Sequence, residues 1–99
     1  MPKRLSNEQI RQLRGRCHAL QPVVMIASDG LTDNIRNAIS EALLAHELIK
    51  IRIRADREQR DEIAARILED TGAEAVMRIG QVLCIYQRHP TRPVLLQPA

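Results

Sequence analysis

Between residues 48 and 54 the chain alternates strictly, with Ile49, Ile51 and Ile53 interleaved by Lys50, Arg52 and Arg54. A period of two belongs to a strand, whose successive side chains point to opposite faces. One face of this strand must therefore be buried and the other cationic. Upstream, Val23-Val24-Met25-Ile26 is a continuous apolar run of the kind a buried strand needs. It ends in the turn-rich tetrapeptide Ala27-Ser28-Asp29-Gly30. Thr32 then offers an N-cap, and Ile35, Ala38, Ile39, Ala42, Leu43 and His46 recur at helical spacing. Strand, tight loop, helix and strand together make a βαβ unit, which requires a parallel pair.

The flanking segments complete the order. Ser6 and Gln9 have the spacing of a capping box, with Leu5 placed to staple against Ile10. The helix they open presents Ile10, Leu13 and Cys17 on one face and should stop near Ala19, ahead of Pro22. Asp56 can cap a third helix with an apolar stripe of Ile63, Ala64, Ile67 and Leu68, closed by Gly72. Residues 74–79 and 82–86 read as a hairpin turning at Gly80-Gln81. The resulting order is α-β-α-β-α-β-β. It implies an α/β domain of the two-layer α+β type, with a four-stranded mixed sheet and helices packed on its faces. Residues 1–88 form this single domain, and 89–99 are expected to be a flexible, Pro-containing tail. No internal repeat or second domain is apparent.

The chemistry of the chain is set by what it lacks as much as by what it has. It contains one Tyr and no Phe or Trp, so a ligand that needs several aromatic stacking platforms is poorly served. Thirteen of the 15 basic residues are Arg, the side chain whose planar fork matches phosphate. The net charge is only +3, but the charge is segregated. Residues 1–16 hold Lys3, Arg4, Arg11, Arg14 and Arg16 against Glu8 alone, whereas 56–70 are predominantly acidic. Such a distribution offers one positive surface and a neutral-to-negative back. Within the third helix, Asp56-Arg60, Glu62-Arg66 and Arg66-Asp70 are spaced for surface ion pairs.

Other classes find little support. Cys17 and Cys84 have no C-x-x-C spacing and occupy apolar positions, as buried free thiols do. The three His residues form no ligand cluster, so no metal is expected. No apolar run approaches the length of a membrane span, and the N-terminus has no apolar signal region; a cytoplasmic location is expected. No nucleophile, base and orienting group stand together, so neither catalysis nor a cofactor is expected.

Three features suit a phosphate backbone. The loop Ala27, Ser28, Asp29 and Gly30 precedes a helix whose free N–H groups can face phosphate oxygens. Lys50, Arg52 and Arg54 project from one side of a strand about 6.5–7 Å apart, close to the spacing of successive phosphates. Arg11, Arg14 and Arg16 lie on the polar faces of the first helix. A bare strand-to-helix turn and a solvated polar face are the plain alternatives for the first two, and simple solubility for the third.

The ordered series of a basic helix, Pro22 to Thr32, His46 to Arg52, Thr71-Gly72-Ala73 and Ile79 to Arg88 resembles the CRM domain (chloroplast RNA splicing and ribosome maturation), in particular the stand-alone bacterial YhbY-like proteins. The resemblance implies a fold related to the C-terminal domain of a bacterial translation initiation factor. It also implies binding to ribosomal RNA in precursors of the large ribosomal subunit. The G-x-x-G loop of that family maps onto Ala27-Ser28-Asp29-Gly30. Ala27 replaces its first glycine, giving less backbone freedom, and Asp29 brings a negative charge that should weaken phosphate contact unless it caps the helix or pairs with an Arg. The expectation is thus a non-catalytic, monomeric RNA-binding assembly factor for the 50S subunit. A protein-interaction module docking on a ribosomal protein or assembly GTPase is the alternative.

Overall fold

The computed structural model describes residues 5–93 and 95. Its elements follow the expected order: α1 (Asn7–Cys17), β1 (Pro22–Ile26), α2 (Asp33–His46), β2 (Leu48–Ile53), α3 (Arg57–Thr71), β3 (Glu74–Ile79) and β4 (Val82–Tyr86). All three helix starts are capped as their sequences suggest. Ser6 and Gln9 form the reciprocal capping box, Thr32 accepts from the Ile35 amide, and Asp56 accepts from the Gln59 amide. At the end of α3, Gly72 takes the left-handed conformation (φ 72°) that a side chain would resist.

The sheet order is β1-β2-β4-β3. β1 and β2 are parallel, and β4 runs antiparallel to both β2 and β3. The crossover from β2 through α3 to β3 skips one position, and the β3–β4 hairpin fills it. Two crossovers of the same hand, moving the same way across a sheet, lay their helices on one face. The main core is accordingly built there, from Ile39 and Leu43 of α2, Ala64 and Ile67 of α3, and Val24, Ile26, Ile49, Ile51, Ile53, Leu83 and Ile85 of the sheet. Each is nearly or fully buried.

On the other face only α1 is available. Its Leu13 and Cys17 pack on Leu48, Val76, Cys84 and Tyr86 to form a second, smaller core. This helix covers β4, β3 and the start of β2 at Leu48, but neither the rest of β2 nor β1. Val23 and Met25 of β1 consequently remain 51% and 50% exposed. The apolar run 23–26 therefore does not form a strand buried on both faces. It is an edge strand with one buried side, because no helix reaches its outer surface. Pro22 at its first position suits an edge, where a missing amide costs no ladder bond.

Cys17 and Cys84 are free and buried, and both belong to the second core where α1 meets β4. Ion pairs within α3 are not formed among the described residues. Asp56 is engaged as the helix cap, and Asp70 is taken by Arg36 of α2 at 2.7 Å. Asp61 instead pairs with Arg78 of β3. Contacts between elements thus replace the local i, i+4 pairs because α2 and β3 bring cations closer than the next turn does.

No helix among the described residues is long and apolar enough to cross a membrane. No group of His, Cys, Asp and Glu among them could hold a metal ion.

Candidate nucleic-acid interface

The partial cover of α1 leaves a strip of sheet open, and β2 fills it with charge. Ile49, Ile51 and Ile53 are buried toward α2 and α3, while Lys50 is half-buried and Arg52 and Arg54 are exposed on the opposite side. The register places Met25 beside Arg52, then Val82, then Ile79 across the four strands. Arg52 is thus a cation set in an otherwise apolar row. Ile79 is 63% exposed, so this row too lies beyond the reach of α1.

The loop 27–30 stands at the end of this strip. Beyond β2, the Arg54 amide donates to the carbonyl of Ile26 at 2.8 Å, which ties Arg54 to the residue just before the loop. The Ile53 amide donates to Gln81 at 2.7 Å, bringing the β3–β4 turn to the same end. The loop closes as a turn, with the Gly30 amide donating to Ala27 at 2.9 Å and Gly30 at φ 71°. Ala27 is not among the residues with positive φ. The loss of a glycine there therefore adds no strain to this conformation. Asp29 makes no side-chain hydrogen bond or ion pair among the described residues, and the cap of α2 is Thr32. Its negative charge stays in the loop, exposed to solvent along with Ala27 and Ser28.

The basic residues of α1 divide. Arg16 and Lys50 line one cavity between the end of α1 and the start of β1, so Arg16 joins the β2 strip. Arg14 turns the other way, and its Nε donates to the Val76 carbonyl of β3 at 3.0 Å. Part of its hydrogen-bonding capacity fastens α1 to the sheet. Arg11 is exposed on α1, with no contact that joins it to the strip. Lys3 and Arg4 lie outside the described residues.

The electrostatics of the two faces differ. Arg36 and Arg78, on the side of α2 and α3, are each matched by a carboxylate. Arg16, Lys50, Arg52 and Arg54 form no ion pair among the described residues. On the α2–α3 side Arg57, Arg60 and Arg66 stand among Glu58, Asp61, Glu62 and Glu69 of the same helix, whereas no acidic residue shares β2 with Lys50 and Arg52, which leaves a directional positive field.

Three other titratable groups explain what the site is not. Burial, with a smaller contribution from Glu47, raises the pKa of Tyr86. Its ring is 4% exposed, sealed under α1, so the chain's single aromatic is not available to stack a base. The thiol of Cys17 is pushed up to about 12 by burial, with a smaller contribution from Cys84. Burial also raises Cys84. Neither is a ready nucleophile, since the reactive form is the thiolate.

Sequence reasoning did not single out Glu47. This residue ends α2 at φ 63° and is 3% exposed. Its carboxylate accepts from the His89 amide at 2.8 Å and the Leu95 amide at 3.0 Å. The segment after β4 is thereby drawn back beside β2, and Leu95 is brought to the cavity of Arg16 and Lys50. No local pattern announces this, because the partners lie more than forty positions downstream.

Comparison with known proteins agrees with this architecture. The sequence profile of the CRS1 / YhbY (CRM) domain matches residues 5–87. A Haemophilus influenzae protein named as an RNA-binding protein is 42% identical over 84 residues, covering 84% of this chain and 85% of its own. Bacillus subtilis "Probable RNA-binding protein YqeI" is 31% identical over 84 residues, covering 84% and 88%. The solution structure of the hypothetical protein SAV1595 from Staphylococcus aureus superposes with a TM-score of 0.79 at 28% identity, over 96% of this chain and all of that one. With its profile matched from α1 to the end of β4, the chain belongs to the CRS1/YhbY (CRM) domain family.

Proposed function

We propose that the protein binds RNA, and specifically ribosomal RNA in precursors of the large ribosomal subunit, as a non-catalytic cytoplasmic assembly factor. The observation that carries this reading is the uncovered face of β2. Lys50 and Arg52 project there from one strand, Arg54 follows at its end and Arg16 lies alongside, with no carboxylate paired to any of them among the described residues. The loop 27–30 lies at the end of the strip, at the N-terminus of α2. There the backbone can approach phosphate oxygens. The names of the relatives, which are those of RNA-binding proteins, support the same ligand class. With Tyr86 sealed, the strip grips the sugar-phosphate backbone and reads RNA shape more than base identity.

The test is affinity for large-subunit rRNA fragments across a salt series. Four phosphate contacts give a slope of log K against log salt of about −3 to −4. Arg52→Glu/Arg54→Glu should lose at least tenfold in affinity and lower the slope by about 1.5–2. Absence of RNA binding by the unsubstituted protein at physiological salt would refute this reading and favour docking on a ribosomal protein or assembly GTPase.

A further inference from the structure

The cavity between the end of α1 and the first residues of β1 and β2 has a volume of about 330 Å³. It lies at the lower end of the range for small-molecule sites, with room for one nucleotide and none for a duplex. Its walls are mostly apolar, formed by Leu20, Val23, Leu48 and Leu95. Arg16 and Lys50 bring two cations to it, and no carboxylate lines it among the described residues. Cations set against an aliphatic surface fit a ligand that is anionic at one end and flat and apolar at the other.

We propose that this cavity receives a single RNA nucleotide, its base turned out of the stack. The inference rests on the RNA-binding reading and deepens it. Lys50 belongs both to the cavity and to the strip of Arg52 and Arg54, so a backbone following the strip delivers a phosphate to the cavity mouth. There Lys50 and Arg16 hold the phosphate, and the base lies against Val23, Leu20 and Leu95. Unstacked bases are where sequence-specific RNA recognition is concentrated, and guanidinium planes as well as aromatic rings can cover them. With Tyr86 buried, His46 is the aromatic ring at the cavity wall, and the Arg16 guanidinium is a second planar group. The Gln21 amide at the cavity wall carries both a donor and an acceptor for a base edge. The strip would then supply affinity, and the cavity a preference at one position.

The experiment is an NMR titration of the methyl-labelled full chain with AMP, GMP, CMP and UMP, set against ribose 5-phosphate and inorganic phosphate. The Leu20, Val23 and Leu95 methyls should shift saturably with at least one nucleotide and stay in place with the two base-free anions. Silence with all four nucleotides, or an equal response to inorganic phosphate, overturns the proposal whatever the protein does with long RNA. A second arm uses Val23→Gln, which narrows the cavity at an exposed edge-strand position without changing charge. Its affinity for an rRNA fragment should fall about tenfold, the size of one base-stacking contact, with the salt slope unchanged. If Val23→Gln binds like the unsubstituted protein while Arg52→Glu/Arg54→Glu fails, the phosphate strip stands and the nucleotide site does not.

Discussion

Replacing Glu47 should destabilise the protein by an amount that its geometry fixes. Two charge-assisted hydrogen bonds, at 2.8 Å to His89 and 3.0 Å to Leu95, converge on a carboxylate that is 3% exposed. Hydrogen bonds to charged groups contribute about 1.5–3 kcal/mol each, and both donors are half-buried, so water restores only part of the loss. Glu47→Ala should therefore cost about 3–4 kcal/mol. Glu47→Gln keeps one acceptor oxygen but turns an NH2 toward the other amide, and should cost about 2–3 kcal/mol. Glu47→Gly loses both acceptors yet relieves the positive φ of 63°, which recovers about 1 kcal/mol relative to Ala. At roughly 4–8 °C per kcal/mol for a domain of this size, Tm should drop by at least about 10 °C for Ala, with Gly higher than Ala by several degrees. Thermal unfolding by circular dichroism reads all three. An Ala variant within about 3 °C of the parent would refute the role of the carboxylate. Gly no more stable than Ala would refute the backbone part of the reasoning.

Three further outcomes follow from the packing and charge of individual side chains. The Tyr86 hydroxyl is buried with no hydrogen-bond partner among the described residues. Tyr86→Phe should thus be neutral or stabilising by up to about 1 kcal/mol in urea unfolding, whereas a loss above 1 kcal/mol would mean the hydroxyl is satisfied in solution. Cys17 is raised from 9.0 to about 12 in the folded protein, so above pH 9 the unfolded chain releases a proton that the folded one keeps. Its contribution to stability is intact below pH 9 and declines as pH rises toward 12. Urea midpoints should fall through this window and fall less in Cys17→Ala; a midpoint constant to pH 11 would contradict it. Asp29 has no ion-pair partner among the described residues and stands beside the proposed phosphate path, and Asp29→Asn should tighten rRNA-fragment binding about two- to fivefold at 0.1 M salt. Unchanged affinity would place the loop outside the interface.

Much of this fold is readable in local pattern because local chemistry decides it. Ser6, Thr32 and Asp56 satisfy amides three residues away, and the alternation of β2 matches the period of a strand. What sequence could not give is set by distance along the chain. Whether Val23 and Met25 are covered depends on how far α1 extends across the sheet, and nothing in residues 22–26 encodes that. The same holds for Asp70, whose partner is Arg36 of α2 rather than Arg66 four residues back. It holds also for Arg14, which looks like a free cation in a helical pattern and is partly spent on the Val76 carbonyl. The candidate site divides along this line. Lys50, Arg52 and Arg54 are visible as a pattern, but their union with Arg16, Val23 and Leu95 exists only once the sheet is closed.

The exposed edge of this sheet is itself an argument for a ligand. A parallel edge strand carrying half-exposed Val23 and Met25 is a liability, since it invites pairing with other chains. Proteins blunt such edges with charge, helices or proline. Here Pro22 opens the strand and Lys50 and Arg52 sit on the next one in, yet α1 stops short of covering it. A longer or shifted α1 would bury both apolar side chains; each is already half covered, so about half of the roughly 1.5–3 kcal/mol of full burial remains available for each. The same shift would bury Arg52 and close the cavity of Arg16 and Lys50. Stability and the open strip therefore pull α1 in opposite directions, and the sequence places it where the strip survives. If that balance is functional, a variant that extends cover over β1 should be more stable and bind RNA less well. Met25→Lys, which removes apolar exposure while adding a cation to the strip, should instead leave stability nearly unchanged and tighten binding about twofold to fivefold at low salt. Tm and affinity measured together separate the two effects, and a Met25→Lys protein that binds RNA more weakly than its parent would show that the apolar row, and not the charge, makes the contact.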